Sequence, residues 1–299
     1  MNESRDILQY LHYHPLSSRG DITAGTAFKG SDATLKRVIA AGIKAGDIVA
    51  EGKARATRYR LSPQAQLLMP LNLDTYFALE VDERQVQSSY NFELINGLLT
   101  ETRLFSDKEQ AHLDALQDEF RQHVNELTDN EYRKEMERLG IDLSWKSSQI
   151  EGNTYTLLET ERLLRESKTA EGKTREEAVM LLNHKDALSF ILDNPDYLQE
   201  LTVSHIEDIH QLLTKDLSID KGLRRHRVGI TGTNYHPLDN EFQIREAMRD
   251  ACKLINSKYN IFEKALLTLL LLSYIQPFLD GNKRTARITS NALLIANDY

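Results

Sequence analysis

The sequence predicts a mainly α-helical protein: a large helical bundle with one short β-hairpin, preceded by a small module of three helices and a two-stranded wing. Three observations carry that prediction. From Phe77 onward, apolar residues recur at helical spacing over long windows. Strand-like alternation is confined to short runs, at 47–50, at 57–61 and around Val228 and Ile230. Charge is divided along the chain: residues 1–63 hold ten Lys/Arg against six Asp/Glu and carry +4, so with –8 overall the remainder carries –12. A basic head on an acidic body points to two partners of different character.

In the head, Ile7, Leu8 and Leu11 have helical spacing, and His14-Pro15 ends that helix. A second short helix is expected near Ile22–Phe28. Gly30 breaks the chain, and Ser31 is placed to cap a third helix carrying Leu35, Val38, Ile39 and Ile43. Its exposed side presents Lys36 and Arg37. The runs at 47–50 and 57–61 flank Glu51-Gly52-Lys53 as the turn of a wing that bears Lys53, Arg55, Arg58 and Arg60. Over residues 1–63 this pattern resembles a winged helix-turn-helix. The resemblance implies DNA contacts by Lys36, Arg37, Arg58 and Arg60, cations that reach phosphates. A protein-interaction module with solvated basic residues stays open beside it.

Residues 64–75 contain Pro70 and little periodicity and are expected to be a linker. A helical region follows over 76–160. It has one helix around Leu94 and Leu98 and a long amphipathic one carrying Leu113, Leu116, Phe120, Val124 and Leu127. Residues 161–299 form the rest, with a helix over 175–192 before Pro195. Cys252 is the only cysteine, which excludes an internal disulfide and fits a reducing compartment. The start, Met1-Asn2-Glu3-Ser4-Arg5-Asp6, lacks the apolar run of a signal peptide. The most apolar stretch, 265–275, is too short to cross a bilayer. A cytoplasmic location without membrane contact is expected.

Two very apolar segments, 265–272 and 288–296, belong at the centre of a bundle, yet the chain between them is Asp280-Gly281-Asn282-Lys283-Arg284. Asp280 offers oxygen to a hard cation. Gly281 permits a tight turn and close backbone approach. Asn282 can donate to a phosphate or ribose oxygen. A helix starting here aims its free N–H groups at the same spot, and Arg284 and Arg287 share a face of it. Two guanidinium groups beside a helix N-terminus are well suited to a polyphosphate. The run Gln276-Pro277-Phe278-Leu279-Asp280-Gly281-Asn282-Lys283-Arg284-Thr285-Ala286-Arg287 resembles the signature of the Fic-domain family over twelve consecutive positions, departing from it at Gln276.

That resemblance implies a Fic-type helical bundle and transfer of AMP from ATP to a protein Ser, Thr or Tyr hydroxyl, releasing pyrophosphate. Asp280 would hold Mg²⁺. Gly281, Asn282 and Lys283 would form the anion hole. Arg284 and Arg287 would hold the outer phosphates, and Phe278 would anchor the loop. Lys283 is one of two residues the family accepts there, glycine being the other. Position 276 belongs to the family's general-base histidine. Imidazole takes and releases a proton near neutral pH and an amide does not. ATP binding is therefore expected, with transfer weak or absent.

Two further segments resemble parts of that family. Ser147-Ser148-Gln149-Ile150-Glu151-Gly152-Asn153 is similar to its inhibitory motif, in the class whose inhibitor precedes the core. On a helix Ser147 and Glu151 share a face, and Gly152 suits the helix end. The resemblance implies that Glu151 pairs with Arg287 and takes the space of the γ-phosphate. Leu223 to Pro237 is similar to the target-docking flap, with Val228, Gly229, Ile230, Thr231 and Gly232 as its edge and turn. His226 and His236 read as solvated loop residues, His184 as structural. The partners expected are ATP, a target hydroxyl and, through residues 1–63, DNA; a homodimer is left open. Two other readings remain: a non-catalytic nucleotide-binding regulator that binds DNA through its head, and removal of AMP using Glu151.

Overall fold

In the computed structural model, residues 3–70, 72–84, 86–297 and 299 are described. The first two residues of the N-terminal run read above lie outside them. The chain divides into two compact units, at Arg84 and Gln85.

The first unit begins with α1 (Glu3–Tyr13), α2 (Arg19–Gly25) and α3 (Asp32–Ala45). Ser18 caps α2 and exchanges a reciprocal pair of hydrogen bonds with Asp21. This starts the helix three residues earlier than the apolar pattern suggested. Ser31 caps α3 as expected, and Gly46 closes it at φ 84°. Strands β1 (Ile48–Glu51) and β2 (Arg58–Leu61) pair antiparallel, Ile48 opposite Leu61 and Glu51 opposite Arg58. The connection is longer than the three-residue turn expected. A 3₁₀ turn at Ala54–Ala56 intervenes, and a Cβ on Gly52 would meet the Ala56 carbonyl oxygen at 2.6 Å. Ser17 adds an isolated bridge to Tyr59. Ile7, Leu11, Ile22, Leu35, Ile39, Ile48 and Leu61 form one core from all five elements.

The stretch expected to be a linker carries two short helices among its described residues. Ser62 caps α4 (Pro63–Leu68), with proline at its first turn, and α5 (Leu73–Ala78) follows. Ala65 and Met69 pack on the head's core, which is why this stretch belongs to the first unit.

The second unit is helical. A π-turn at Leu94–Leu98 runs into α6 (Leu99–Glu101), then α7 (Asp107–Glu126), α8 (Asp129–Ile150), α9 (Leu157–Glu166), α10 (Arg175–Asp193), α11 (Val203–Leu213), α12 (Glu241–Ser257), α13 (Ile261–Ile275) and α14 (Asn282–Ile295). Ser106, Thr128, Thr156 and Thr174 each cap a helix with a glutamate three residues on. Helices α10 to α14 supply most of the main core, with Tyr90, Ile95 and Leu99 added from the start of the unit. A smaller core of Ile141, Tyr155, Leu163, Leu164, Ala178 and Leu181 joins α8, α9 and α10. It fixes the end of α8 beside α14. Among the described residues no helix is long and apolar enough to cross a membrane.

The flap departs from its expected form. Val228 and Ile230 lie in chain without regular secondary structure, and the turn falls at Thr231-Gly232, with Gly232 at φ 83°. An isolated two-stranded ribbon is marginal by itself. The flap is instead held by its ends, where the amide of His236 donates to Ser88 at 2.9 Å.

Candidate nucleotide site

Helix α13 ends at Gln276, which adopts a left-handed conformation (φ 52°) and donates its N–H to Leu272. The residue before a proline is kept out of the right-handed helical region, so α13 ends ahead of Pro277. The loop then reaches Gly281, at φ 79°, which begins α14 without a side-chain cap. The first N–H groups of α14 are therefore open toward the loop, and a β-carbon at position 281 would be strained.

The loop is braced from inside. The Asn282 side chain is turned inward, accepting from the N–H of Phe278 and donating to its carbonyl, both at 2.8 Å. The Asn282 side chain is thus engaged with its own loop and not turned out to a ligand as expected. Phe278 is fully buried and stacks on His210 of α11, ring centroids 3.8 Å apart. The Nε2–H of His210 donates to the Asp280 carbonyl at 3.0 Å. Burial, helped by Arg284, holds the His210 imidazole down at about 4, against the opposing effect of that carbonyl.

The charged groups are distributed by depth. Asp280 is 67% exposed and Lys283 is exposed, whereas Arg284 is 3% exposed. One Arg284 nitrogen lies 3.6 Å from Asp280, and Nη1 is buried without a hydrogen-bond partner. Burial lowers the pKa of Arg284. A buried, unsatisfied guanidinium donor is costly unless a ligand receives it. Arg287, one turn on, has partners: Nε donates to the Ser147 hydroxyl at 3.0 Å, and Nη2 to the Ser147 carbonyl at 3.0 Å and to Glu151 at 2.7 Å. Glu151 closes α8, and Gly152 follows at φ 91°. The structure thus brings Ser147, Glu151 and Arg287 together as the motif implied. His184 on α10 is almost fully buried, its pKa pushed down to about 3 by burial, then by Arg287 and Arg284.

Gln276 is buried, and its Nε2 donates to Ser273 at 2.7 Å. Its main-chain carbonyl accepts from Arg224 Nε at 2.6 Å. His226 and His236 are exposed, as expected. A cleft of about 380 Å³ opens between Leu279 and Leu223–His226. Arg224 and His210 were not singled out in the sequence. His210 carried a signal, since it interrupts the apolar stripe of Ile206, Ile209 and Leu213. Arg224 carried none, being one of three closely spaced arginines.

The DNA candidates in the first unit are partly engaged there. Lys36 pairs with Asp32 at 2.9 Å and Arg60 with Glu51 at 2.5 Å. Arg58 donates to the Thr57 carbonyl, and Arg37 is exposed.

Residues 200–294 match the sequence model of the Fic/DOC family. The chain is 29% identical over 156 residues to the protein adenylyltransferase Fic of Drosophila willistoni and 28% identical to that of Drosophila ananassae; each alignment covers 50% of this chain and 31% of the relative. It therefore spans about a third of the length of these curated relatives. Among solved structures, Fic-1 from C. elegans aligns with TM-score 0.53 and 21% identity, over 64% of this chain and 61% of the other. A Fic domain containing signaling protein from Bacteroides thetaiotaomicron aligns with TM-score 0.54 and 21% identity, over 62% and 73%.

Proposed function

Residues 200–294 form a Fic domain, and on that premise we propose that the chain is a protein adenylyltransferase held shut by its own helix α8. It binds ATP with Mg²⁺ at the start of α14, and its transfer of AMP is weak or absent because residue 276 is glutamine. The observation that carries this reading is the contact of Arg287 with Ser147 and Glu151. A guanidinium beside a helix N-terminus suits a polyphosphate. Here that guanidinium already has a carboxylate at 2.7 Å, so a γ-phosphate must displace Glu151 both in charge and in volume.

The remaining residues fit the nucleotide. Arg284 holds a buried donor for phosphate oxygen. Among the described residues no group of three His, Cys, Asp or Glu could hold a metal ion by itself. The exposed Asp280 carboxylate suits Mg²⁺ none the less, because that ion commonly takes one or two carboxylates plus substrate phosphates. When bound, Mg²⁺ neutralises charge that develops on the phosphates. In the reaction the target's hydroxyl oxygen attacks the α-phosphorus, the bond to the β-phosphate oxygen breaks, and pyrophosphate leaves. The hydroxyl proton needs an acceptor. The Gln276 amide is not basic, and its nitrogen donates to Ser273. Loss of a general base costs on the order of 10²- to 10⁴-fold in rate.

A second reading, a nucleotide-binding regulator without chemistry, is favoured by Gln276 and by the order of three helices and a hairpin in the first unit, which supports a winged helix-turn-helix able to bind DNA. Both readings require ATP binding. ATP with Mg²⁺ is expected to raise the Tm of the full chain, and to raise it further in Glu151→Gly, because a ligand of the folded state stabilises it by mass action. Thermal unfolding with and without millimolar ATP checks this, and no shift in Glu151→Gly would contradict both readings.

A further inference from the structure

We propose that Arg224 is the positioning residue that fixes the flap against residue 276. The Arg224 side chain is 4% exposed and sits where the flap begins. Its Nε donates to the main-chain carbonyl of Gln276 at 2.6 Å, Nη1 to that of His226 at 2.9 Å, and Nη2 to that of Leu238. Its own N–H donates to the carbonyl of Pro277 at 2.9 Å. One planar group thus holds three separate points: the position of the missing base and both ends of the flap.

The neighbouring arginines act differently. Arg225 pairs with Glu241 and Arg227 with Asp239, both at the exposed surface. Such pairs contribute little and tolerate loss. The three acceptors of Arg224 are all neutral carbonyls, and Asp239 acts on it only through space. A buried cation without a contacting carboxylate is an expensive way to fill a core, and an apolar side chain would fill the same space with less desolvation. An apolar side chain cannot bind three carbonyls. A guanidinium can, because its five donors lie in one rigid plane. Burial lowers its pKa in keeping with that cost.

The consequence rests on the transfer reading above. A target hydroxyl carried by the flap must meet the α-phosphorus in line, and a misplacement of about 1 Å costs on the order of 10²-fold in rate. Arg224 sets that distance without touching nucleotide or target. Phosphate binding, which depends on the start of α14, does not use it.

Hydrogen exchange on the full chain tests the inference without relying on activity. In Arg224→Lys and Arg224→Gln, the hydrogen-bonded amides at the two ends of the flap, those of residue 224, Tyr235 and His236, are expected to exchange at least about tenfold faster, the loss of hydrogen bonds to a charged group. The Tm gain with ATP and Mg²⁺ should persist when either change is added to Glu151→Gly. In a Gln276→His, Glu151→Gly background, Arg224→Lys should slow self-labelling from labelled ATP by about 10²-fold at unchanged half-saturating ATP. Unchanged flap exchange in both variants overturns the proposal. So does loss of cooperative unfolding in both, which would make Arg224 a core residue only. Faster flap exchange, with no self-labelling even when Arg224 is intact, supports the positioning and defeats the transfer reading alone.

Discussion

Arg284 and Arg287 lie one turn apart on α14 and differ in what they lack. Arg287 is matched by Ser147 and Glu151, while Arg284 keeps a buried donor unmatched. His210 supports the same loop from behind, stacked on Phe278 and donating to Asp280. Burial depresses its pKa to about 4, so it is neutral in the folded chain where an unfolded histidine takes a proton. Because the folded pKa lies below the unfolded one, the unfolded state binds more protons as pH falls from about 6.5 to about 4, and stability falls with it. Over that window His210 accounts for about 3 kcal/mol at most, and His184, depressed to about 3, adds in the same direction. Urea midpoints from pH 7 to 4.5 should therefore decline less steeply in His210→Gln than in the parent chain, and equal slopes would contradict the assignment. At this scale helical spacing made the shared face of Ser147 and Glu151 legible, while their meeting with Arg287 was legible only through the resemblance to the family's inhibitory motif. The inward turn of Asn282 was not, since an amide bonds a phosphate or its own loop equally well, and only the closed loop decides.

Helices were legible where caps and apolar stripes agree, as for α3, α10 and α13. Burial was less legible. Helix α7 has the apolar spacing expected of it, yet Leu116 is 48% and Phe120 41% exposed, and Gln117 is the buried residue of the helix. Its start is secured by the Ser106–Glu109 box and by Asn260 bonding Gln110, not by a buried stripe. The amphipathic pattern predicts the helix but not whether a neighbour covers it. Truncating an exposed apolar residue removes little burial, whereas emptying a core site costs its transfer and a cavity. Leu116→Ala and Phe120→Ala are expected to lower stability by less than about 1 kcal/mol each, and Phe278→Ala by about 3–5 kcal/mol. Chemical denaturation measures all three. A loss of several kcal/mol at Phe120 would mean that the α7 stripe is covered in solution. The flap failed as a strand prediction for a related reason: alternation at Val228 and Ile230 gives a β tendency, but no second strand pairs with it, and buried Arg224 holds its ends instead.

On the scale of the whole chain, the contacts divide at Arg84 and not near residue 63, where the basic head was read to end, because Ala65 and Met69 pack onto the head's core. On the transfer reading proposed above, the second unit sets two separate barriers to transfer. One is geometric, Glu151 on Arg287. The other is chemical, an amide at position 276. A base accelerates transfer only when the α-phosphate is aligned, so removing the two barriers should be non-additive. The direct measurement is a double-mutant cycle of AMP labelling on the full chain at fixed ATP and Mg²⁺, comparing the parent, Glu151→Gly, Gln276→His and the double variant. The double variant is expected to label protein hydroxyls faster than either single change by more than the product of their separate effects. If Gln276→His adds nothing in the Glu151→Gly background, residue 276 is not the base position and the reading of this site as an adenylyltransferase centre fails.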